Sequence, residues 1–256
     1  MRGTVALVTG AAGGIGEAVV RLLAGRGAEV AAVDLDGARV SALAERSRAE
    51  GAKVTAFTAD VTSSAAVDRL VDEVEHRIGP VLHLVNAAGV LRTGRAHALS
   101  DEDWNATLAV NATGVFHVSR AVANRMVPRR RGAIVTVASN AAGTARADMA
   151  AYAASKAAAT AYTKCLGLEV AHAGIRCNVV APGSTDTPML RGMHTDGAAV
   201  AASVAGSPEQ FRVGIPLGKV ARPEDIARTV AFLLSEDAGH ITMHELTVDG
   251  GATLGV

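Results

Sequence analysis

Three side chains near the middle of the chain have the types and spacing for proton chemistry: Ser139, Tyr152 and Lys156. Tyr152 and Lys156 are four residues apart, so on a helix they share a face. A phenol of ordinary pKa, ~10, is a poor base at neutral pH. An ammonium one turn away favours the phenolate and lowers that pKa, giving a base able to take a proton from an alcohol. Ser139 ends an apolar run, 133–138, and adds a hydroxyl that can hydrogen-bond the reacting oxygen.

For these groups to meet, 133–139 must be a strand that delivers Ser139 at its end, and the Ala-rich stretch 151–173 must be a helix. The same alternation runs along the whole chain. Strands are expected at 4–9, 29–34, 53–58, 81–86, 133–139, 175–181 and 241–248. Helices are expected at 14–26, 37–50, 64–78, 101–127, 151–173 and 223–235, the fourth breaking near Asn111. Ser100 with Asp103 resembles a capping box, and Pro223 stands where a first helical turn accepts proline. Strands that alternate with helices imply right-handed crossovers and a parallel sheet. Near-continuous apolar strands fit a sheet covered by helices on both faces. No repeat or linker-like shift divides the chain, so residues 1–256 read as one α/β domain. Small and polar residues break the pattern at 184–216, and such an excursion in a compact domain is usually functional, here a lid over a site.

Composition narrows the partners. Hydrophobic residues make up 49% and aromatics only 3%, so the core must be Ala, Val, Leu and Ile. Formal net charge is zero, which gives no electrostatic case for nucleic acid or an anionic membrane. The two cysteines suggest neither a disulfide framework nor a zinc motif; Cys165 reads as core and Cys177 as part of a strand. His240 and His244 lie in a strand-like stretch, so no metal site is expected. With no signal-peptide pattern and no apolar run of ~18 residues, the expectation is a soluble cytoplasmic protein.

The first strand–helix turn reads Thr9-Gly10-Ala11-Ala12-Gly13-Gly14-Ile15-Gly16. Glycines at 10, 14 and 16 let the backbone approach a pyrophosphate, and the helix N-terminus offers free N–H groups. The turn follows a strand and opens a helix within a βαβ unit, the context such a pattern requires. Asp34 ends the second strand, where an acidic side chain binds a ribose 2′-hydroxyl and repels a 2′-phosphate; this argues for NAD over NADP.

With these residues in order, the chain resembles the short-chain dehydrogenase/reductase family along essentially its full length. Thr9–Gly16 is similar to the family's glycine turn, Asp60-Val61 to its pair near the adenine, and Asn86-Ala-Ala-Gly89 to its strand-end motif. Asn111, Ser139, Tyr152 and Lys156 match its catalytic tetrad; Pro182, Gly183 and Thr187 match the segment beside the nicotinamide. The resemblance implies a Rossmann-like, doubly wound, seven-stranded parallel sheet. It also implies a dinucleotide held in part by Gly10, Gly14, Ile15, Gly16, Gly89, Tyr152 and Lys156, and a homotetramer. Asn111 would support a water linking Lys156 to solvent.

Several stretches resemble a narrower group, the 2,3-dihydro-2,3-dihydroxybenzoate dehydrogenases of catecholate siderophore synthesis. Pro182-Gly-Ser-Thr-Asp-Thr187, Gly214-Ile-Pro-Leu-Gly-Lys219 and Val248-Asp-Gly-Gly-Ala-Thr-Leu-Gly255 are the most particular. Members oxidise the C3 hydroxyl of a cyclohexadiene carboxylate with NAD. Such a substrate calls for a cation, and Arg92 and Arg146 are the candidates. Asn140 and the Gln210-Phe211 pair complete the expected substrate set, the pair closing over the ring. Ala145 departs from the proline expected there. The 2-amino analogue, 2,3-dihydro-3-hydroxyanthranilate, is an open alternative. So are a 3-oxoacyl-carrier-protein reductase, which Asp34 counts against, and a non-catalytic dinucleotide sensor, which the intact Tyr152 and Lys156 count against.

Overall fold

All five residues of the first strand, β1 (Val5–Thr9), are buried, as a strand covered on both faces must be. The computed structural model describes residues 1–193 and 199–255. After β1 come α1 (Gly14–Gly25), β2 (Glu29–Asp34), α2 (Gly37–Ala49), β3 (Val54–Thr58), α3 (Ser64–Arg77) and β4 (Val81–Asn86). Next are α4 (Asp101–Leu108), a π-helical turn (Ala109–Thr113), α5 (Gly114–Arg129), β5 (Gly132–Val137), α6 (Ala150–Val170) and β6 (Ile175–Pro182). Two short helices, α7 (Pro188–Arg191) and α8 (Ala199–Ala205), precede α9 (Pro223–Leu234) and β7 (Glu245–Val248).

The strands form one sheet of seven in the order β3-β2-β1-β4-β5-β6-β7, and every pairing is parallel. This is the Rossmann-like α/β domain expected from the alternation. Successive side chains point to opposite faces. Ala6, Val8, Val30, Val85 and Val135 pack with residues of α1, α2 and α9, whereas Leu7, Ala31, Val33, Leu84 and Ile134 pack with those of α3 and α5. Winding reverses between β1 and β4, so the crevice outside their C-terminal ends is where a doubly wound sheet binds its ligand.

The departures from expectation have local causes. The helix expected over 101–127 is broken by the π-helical turn that contains Asn111, a widened turn of a kind frequent at functional sites. Ser100 does cap α4, its hydroxyl accepting the Asp103 N–H at 3.1 Å. The last strand is four residues, not the eight of 241–248. Asn178 takes the carbonyl of Ile241 and the N–H of His244, and Met243 has a φ of 59°, which leaves the ladder. Cys165, expected in the core, is exposed on α6, while Cys177 is buried in β6. The Ala-rich α6 has too little contrast between its faces to show in sequence which one is buried. Of the stretch expected as a lid, residues 194–198 lie outside the described residues. No helix among the described residues is long and apolar enough to cross a membrane.

Candidate active site

β5 delivers the chain to Ser139, which is extended (φ −170°, ψ 150°) and buried. Its hydroxyl accepts the Ala141 N–H at 3.2 Å and hydrogen-bonds the Tyr152 hydroxyl. Tyr152 and Lys156 stand one turn apart on α6, with Lys156 Nζ 5.8 Å from the centre of the Tyr152 ring. Lys156 is buried, donates to the Val137 carbonyl at 2.9 Å, and is pushed down to a pKa of about 8 by burial. Burial pushes the Tyr152 phenol up, and the Ser139 hydrogen bond opposes that only in part. Burial thus opposes the lowering expected from the ammonium together with a positive nicotinamide ring.

The π-helical turn aims Asn111 at the same place. Its amide brackets Val90, accepting the N–H at 2.8 Å and donating to the carbonyl at 2.9 Å, and it also donates to Ser155 Oγ at 3.0 Å. Ser155 in turn donates to the Tyr152 carbonyl at 2.7 Å. Both N–H donors of the Asn111 amide are thus engaged in tying β4's exit to α6. A Cβ on Gly89 would lie 3.3 Å from Lys156 Nζ and 3.4 Å from Asn111 Oδ1, so the two side chains meet over this residue.

A cleft of about 510 Å³ runs from here along the strand ends, lined by Gly10, Gly14, Ile15, Gly16, Asp34, Asp60, Val61, Gly89 and Thr187. Gly10 has a φ of +65°, and a Cβ there would sit 2.6 Å from the Ala87–Ala88 backbone. A Cβ on Gly16 would sit 2.0 Å from the Gly10 carbonyl oxygen. No side chain caps the start of α1, which leaves its first N–H groups open to an anion. Asp34 accepts from the N–H groups of Ala12 at 2.9 Å and Asp36 at 3.0 Å, so its carboxylate is fixed at the far end. The donor set, the helix end and the missing Cβ atoms fit a dinucleotide.

On the other side of Tyr152 lies a cavity of about 170 Å³. Ser139, Tyr152, Lys156, Pro182 and Gly183 line it beside Asn140, Arg146 and Arg212. Its apolar wall includes Leu91, Met149, Leu190, Met193 and Ile215. Asn140 donates to Asp249 at 3.2 Å. Burial alone would raise the Asp249 carboxyl, but hydrogen bonds from Thr253, Asn140 and the Gly251 N–H hold it below the usual range. Arg146 has its pKa lowered by burial first and by the charge of Arg212 next, with Asp249 opposing.

The family described as Enoyl-(Acyl carrier protein) reductase matches residues 10–253. The 2,3-dihydro-2,3-dihydroxybenzoate dehydrogenase of Bacillus subtilis (strain 168) is 55% identical over 256 residues, covering 100% of this chain and 98% of the relative. The protein of the same name from Escherichia coli (strain K12) is 44% identical, covering 97% and 96%. A crystal structure of a short-chain type dehydrogenase/reductase from Mycobacterium marinum superposes with a TM-score of 0.89 at 29% identity, covering 98% and 96%. The chain belongs to the short-chain dehydrogenase/reductase family. It is an oxidoreductase acting on CH–OH donors, of a family that uses a nicotinamide dinucleotide.

Within that short-chain dehydrogenase frame, four of the expected residues lie elsewhere. Asn86 is buried and donates inward to Ser119 at 2.9 Å and Thr136 at 3.2 Å; the neighbouring Ala87, Ala88 and Gly89 line the cofactor cleft instead. Arg92 turns out to Asp103 at 3.4 Å with its side chain 56% exposed, and Leu91 takes the place in the cavity wall. Gln210 and Phe211 also stand outside the lining, Phe211 at 94% exposure. Ser207 and Arg212 exchange both backbone hydrogen bonds across a turn in which Phe211 is left-handed (φ 54°), and beyond it Arg212 lines the cavity while Phe211 faces out.

Sequence reasoning missed Arg212, Ser155, Asp249 and Arg39. Arg39 donates to the Ala12 carbonyl at 2.7 Å and lines the cleft near Asp34. Only Ser155, three residues after Tyr152 on the helix, had a local signal.

Proposed function

We propose that this chain oxidises the C3 hydroxyl of 2,3-dihydro-2,3-dihydroxybenzoate with NAD, giving 2,3-dihydroxybenzoate. The observation that carries the reading is Arg146, a half-buried guanidinium in the wall of a small cavity that also holds Ser139 and Tyr152. A cavity of about 150 Å³ holds one benzene ring. The volume here, about 170 Å³, therefore suits one substituted ring. A guanidinium grips a carboxylate bidentately. The names of the Bacillus subtilis and Escherichia coli relatives support the same substrate.

The 2-amino analogue fits less well. Its C2 amine is aliphatic and protonated at neutral pH. The lining carries Arg146 and Arg212 and, among the described residues, no carboxylate to meet a second cation. Asp34 at the ribose end supports NAD, and Arg39 is the group that a 2′-phosphate would use; the ratio of kcat/KM for NAD and NADP tests that choice.

The residues divide the work. When bound, the oxidised nicotinamide accepts the hydride and places a positive charge near the phenol. Tyr152 takes the C3 hydroxyl proton, and Ser139 hydrogen-bonds the same oxygen. Lys156 favours the phenolate and, with Tyr152, would hold the nicotinamide ribose. Asn111 fixes the segment after β4 against α6 and so sets the height of Lys156 over Gly89. The ketone formed tautomerises to a catechol, and aromatisation makes the oxidation effectively irreversible. A homotetramer belongs to the same proposal, supported by the 73% exposed Leu254 and by exposed Ala158, Cys165 and Leu168 on α6; light scattering tests it.

Turnover of the diol with NAD, followed by absorbance of the reduced cofactor, tests the reaction. Arg146→Ala is expected to raise KM for the diol about 10- to 100-fold, the loss of a charged hydrogen-bonded pair, and to leave NAD binding unchanged. Absence of diol turnover by the unaltered protein would overturn the reading.

A further inference from the structure

We propose that Arg212 is the second half of a carboxylate clamp with Arg146, and that the pair makes a ring carboxylate a requirement for the substrate. The inference deepens the function proposed above and rests on it for the ring chemistry.

Arg212 reaches the cavity by a built route. It closes a short hairpin in which Ser207 N–H donates to the Arg212 carbonyl and Arg212 N–H to the Ser207 carbonyl, each at 2.9 Å. Two glycines bracket that hairpin, Gly206 at φ +78° and Gly214 at φ +83°. A Cβ on Gly206 would sit 2.4 Å from the Arg212 carbonyl oxygen, and one on Gly214 would sit 2.4 Å from that of Val204. The returning segment therefore lies directly against the end of α8, with no side chain between them. Its alternation runs against burial: Phe211 is 94% exposed and Val213 62%, while the arginine between them faces the cavity. A segment shaped only by apolar burial would turn the other way.

The electrostatics also ask for a ligand. Neither guanidinium has a hydrogen-bond or ion-pair partner among the described residues. Arg212 acts on Arg146 as a like charge and disfavours its charged form. Asp249 offsets part of this, but its oxygens are engaged with Asn140, Gly251 and Thr253. With no carboxylate in the described lining, an anion brought by the substrate is what would relieve the pair. Two forks can grip one planar carboxylate from two sides.

The test compares the diol carboxylate with its carboxamide in the unaltered protein, Arg212→Ala and Arg212→Lys. In parallel, calorimetry measures binding of 2,3-dihydroxybenzoate and its carboxamide with NAD present. Arg212→Ala is expected to lower kcat/KM for the carboxylate about 10- to 100-fold through KM, leave carboxamide turnover and NAD affinity nearly unchanged, and weaken carboxylate binding by the same factor. Arg212→Lys is expected to recover part of the loss. Equal losses for carboxylate and carboxamide would mean a structural role and overturn the clamp, as would an unchanged ratio. If the diol is not oxidised but Arg212 still governs carboxylate binding, the clamp stands and the proposed reaction falls.

Discussion

At the cofactor end of the cleft the glycine turn presents bare backbone, with Asp34 and Arg39 beyond it, and at the substrate end the walls are side chains. Gly10, Gly14 and Gly16 clear a path along α1, and Asp34 is pinned there by two N–H groups within the adjoining turns. At the other end Arg146, Arg212, Asn140 and Asp249 arrive from three separate stretches of chain; Asn140 donates to Asp249, while the two arginines oppose each other as like charges. Backbone walls accept one kind of ligand rigidly. Side-chain walls can be changed one residue at a time without disturbing the sheet, which is how one fold serves many substrates. Tyr152 and Lys156 sit at the seam and line the cavity with Pro182 and Gly183.

The largest effect is expected at that seam. Tyr152→Phe removes the proton acceptor and is expected to lower kcat by about 10²- to 10⁴-fold. NAD affinity, measured by calorimetry, should fall only a few-fold, because Tyr152 gives the ribose one hydrogen bond while the glycine turn and Asp34 would hold the rest of the dinucleotide. A parallel collapse of NAD binding would mean that the two ends are not separable.

A smaller effect should come from one methyl group in the backbone wall. Gly16→Ala places a Cβ 2.0 Å from the Gly10 carbonyl, and neither side can yield as a flexible side chain would. About 1–3 kcal/mol of stability should be lost, the usual cost of forced overpacking, together with NAD affinity. Thermal unfolding and calorimetry read both. A Gly16→Ala protein with unaltered melting and NAD binding would show that this wall gives.

The same contrast decides what could be read from the sequence. The glycine turn was legible because few residues but glycine tolerate its geometry, so the constraint is printed locally in Thr9–Gly16. Tyr152 and Lys156 were legible because helix period alone puts them together. Arg212 was not, because a left-handed Phe211 and the two glycines flanking the hairpin decide which of residues 210–212 faces inward. Arg92 misled for the mirror reason: it follows the strand-end motif, but Asp103 at the start of α4 draws it away. Cys165 sits in an alanine background where burial leaves no pattern, and β7 is cut short by Asn178, a partner more than sixty residues away.

The smallest effect separates both ends of the cleft from the interior of the central strand β4. His83 lies on β4, in register with Ala6 and Ala133, is 7% exposed, and leaves Nδ1 without a partner. Burial lowers its pKa from 6.5 to about 4, and the charges of the amino terminus, Arg176 and Arg131 add to this. The folded chain thus prefers the neutral ring. Stability is fully present above about 6.5 and is lost as pH falls towards 4, since the unfolded chain takes up the proton first. The gap corresponds to on the order of 3 kcal/mol. His83→Leu removes both the titration and the unpartnered nitrogen, so its melting temperature should match or exceed the parent's at neutral pH and decline less on acidification. Its kcat/KM at neutral pH should stay within about twofold, as expected for a change outside the cleft. If acid sensitivity is unchanged, the carboxylates of pairs such as Glu75–Arg129 must carry it instead. If activity falls with His83→Leu, packing inside β4 is coupled to the cleft at the strand ends, and the sheet does not insulate the site from its core.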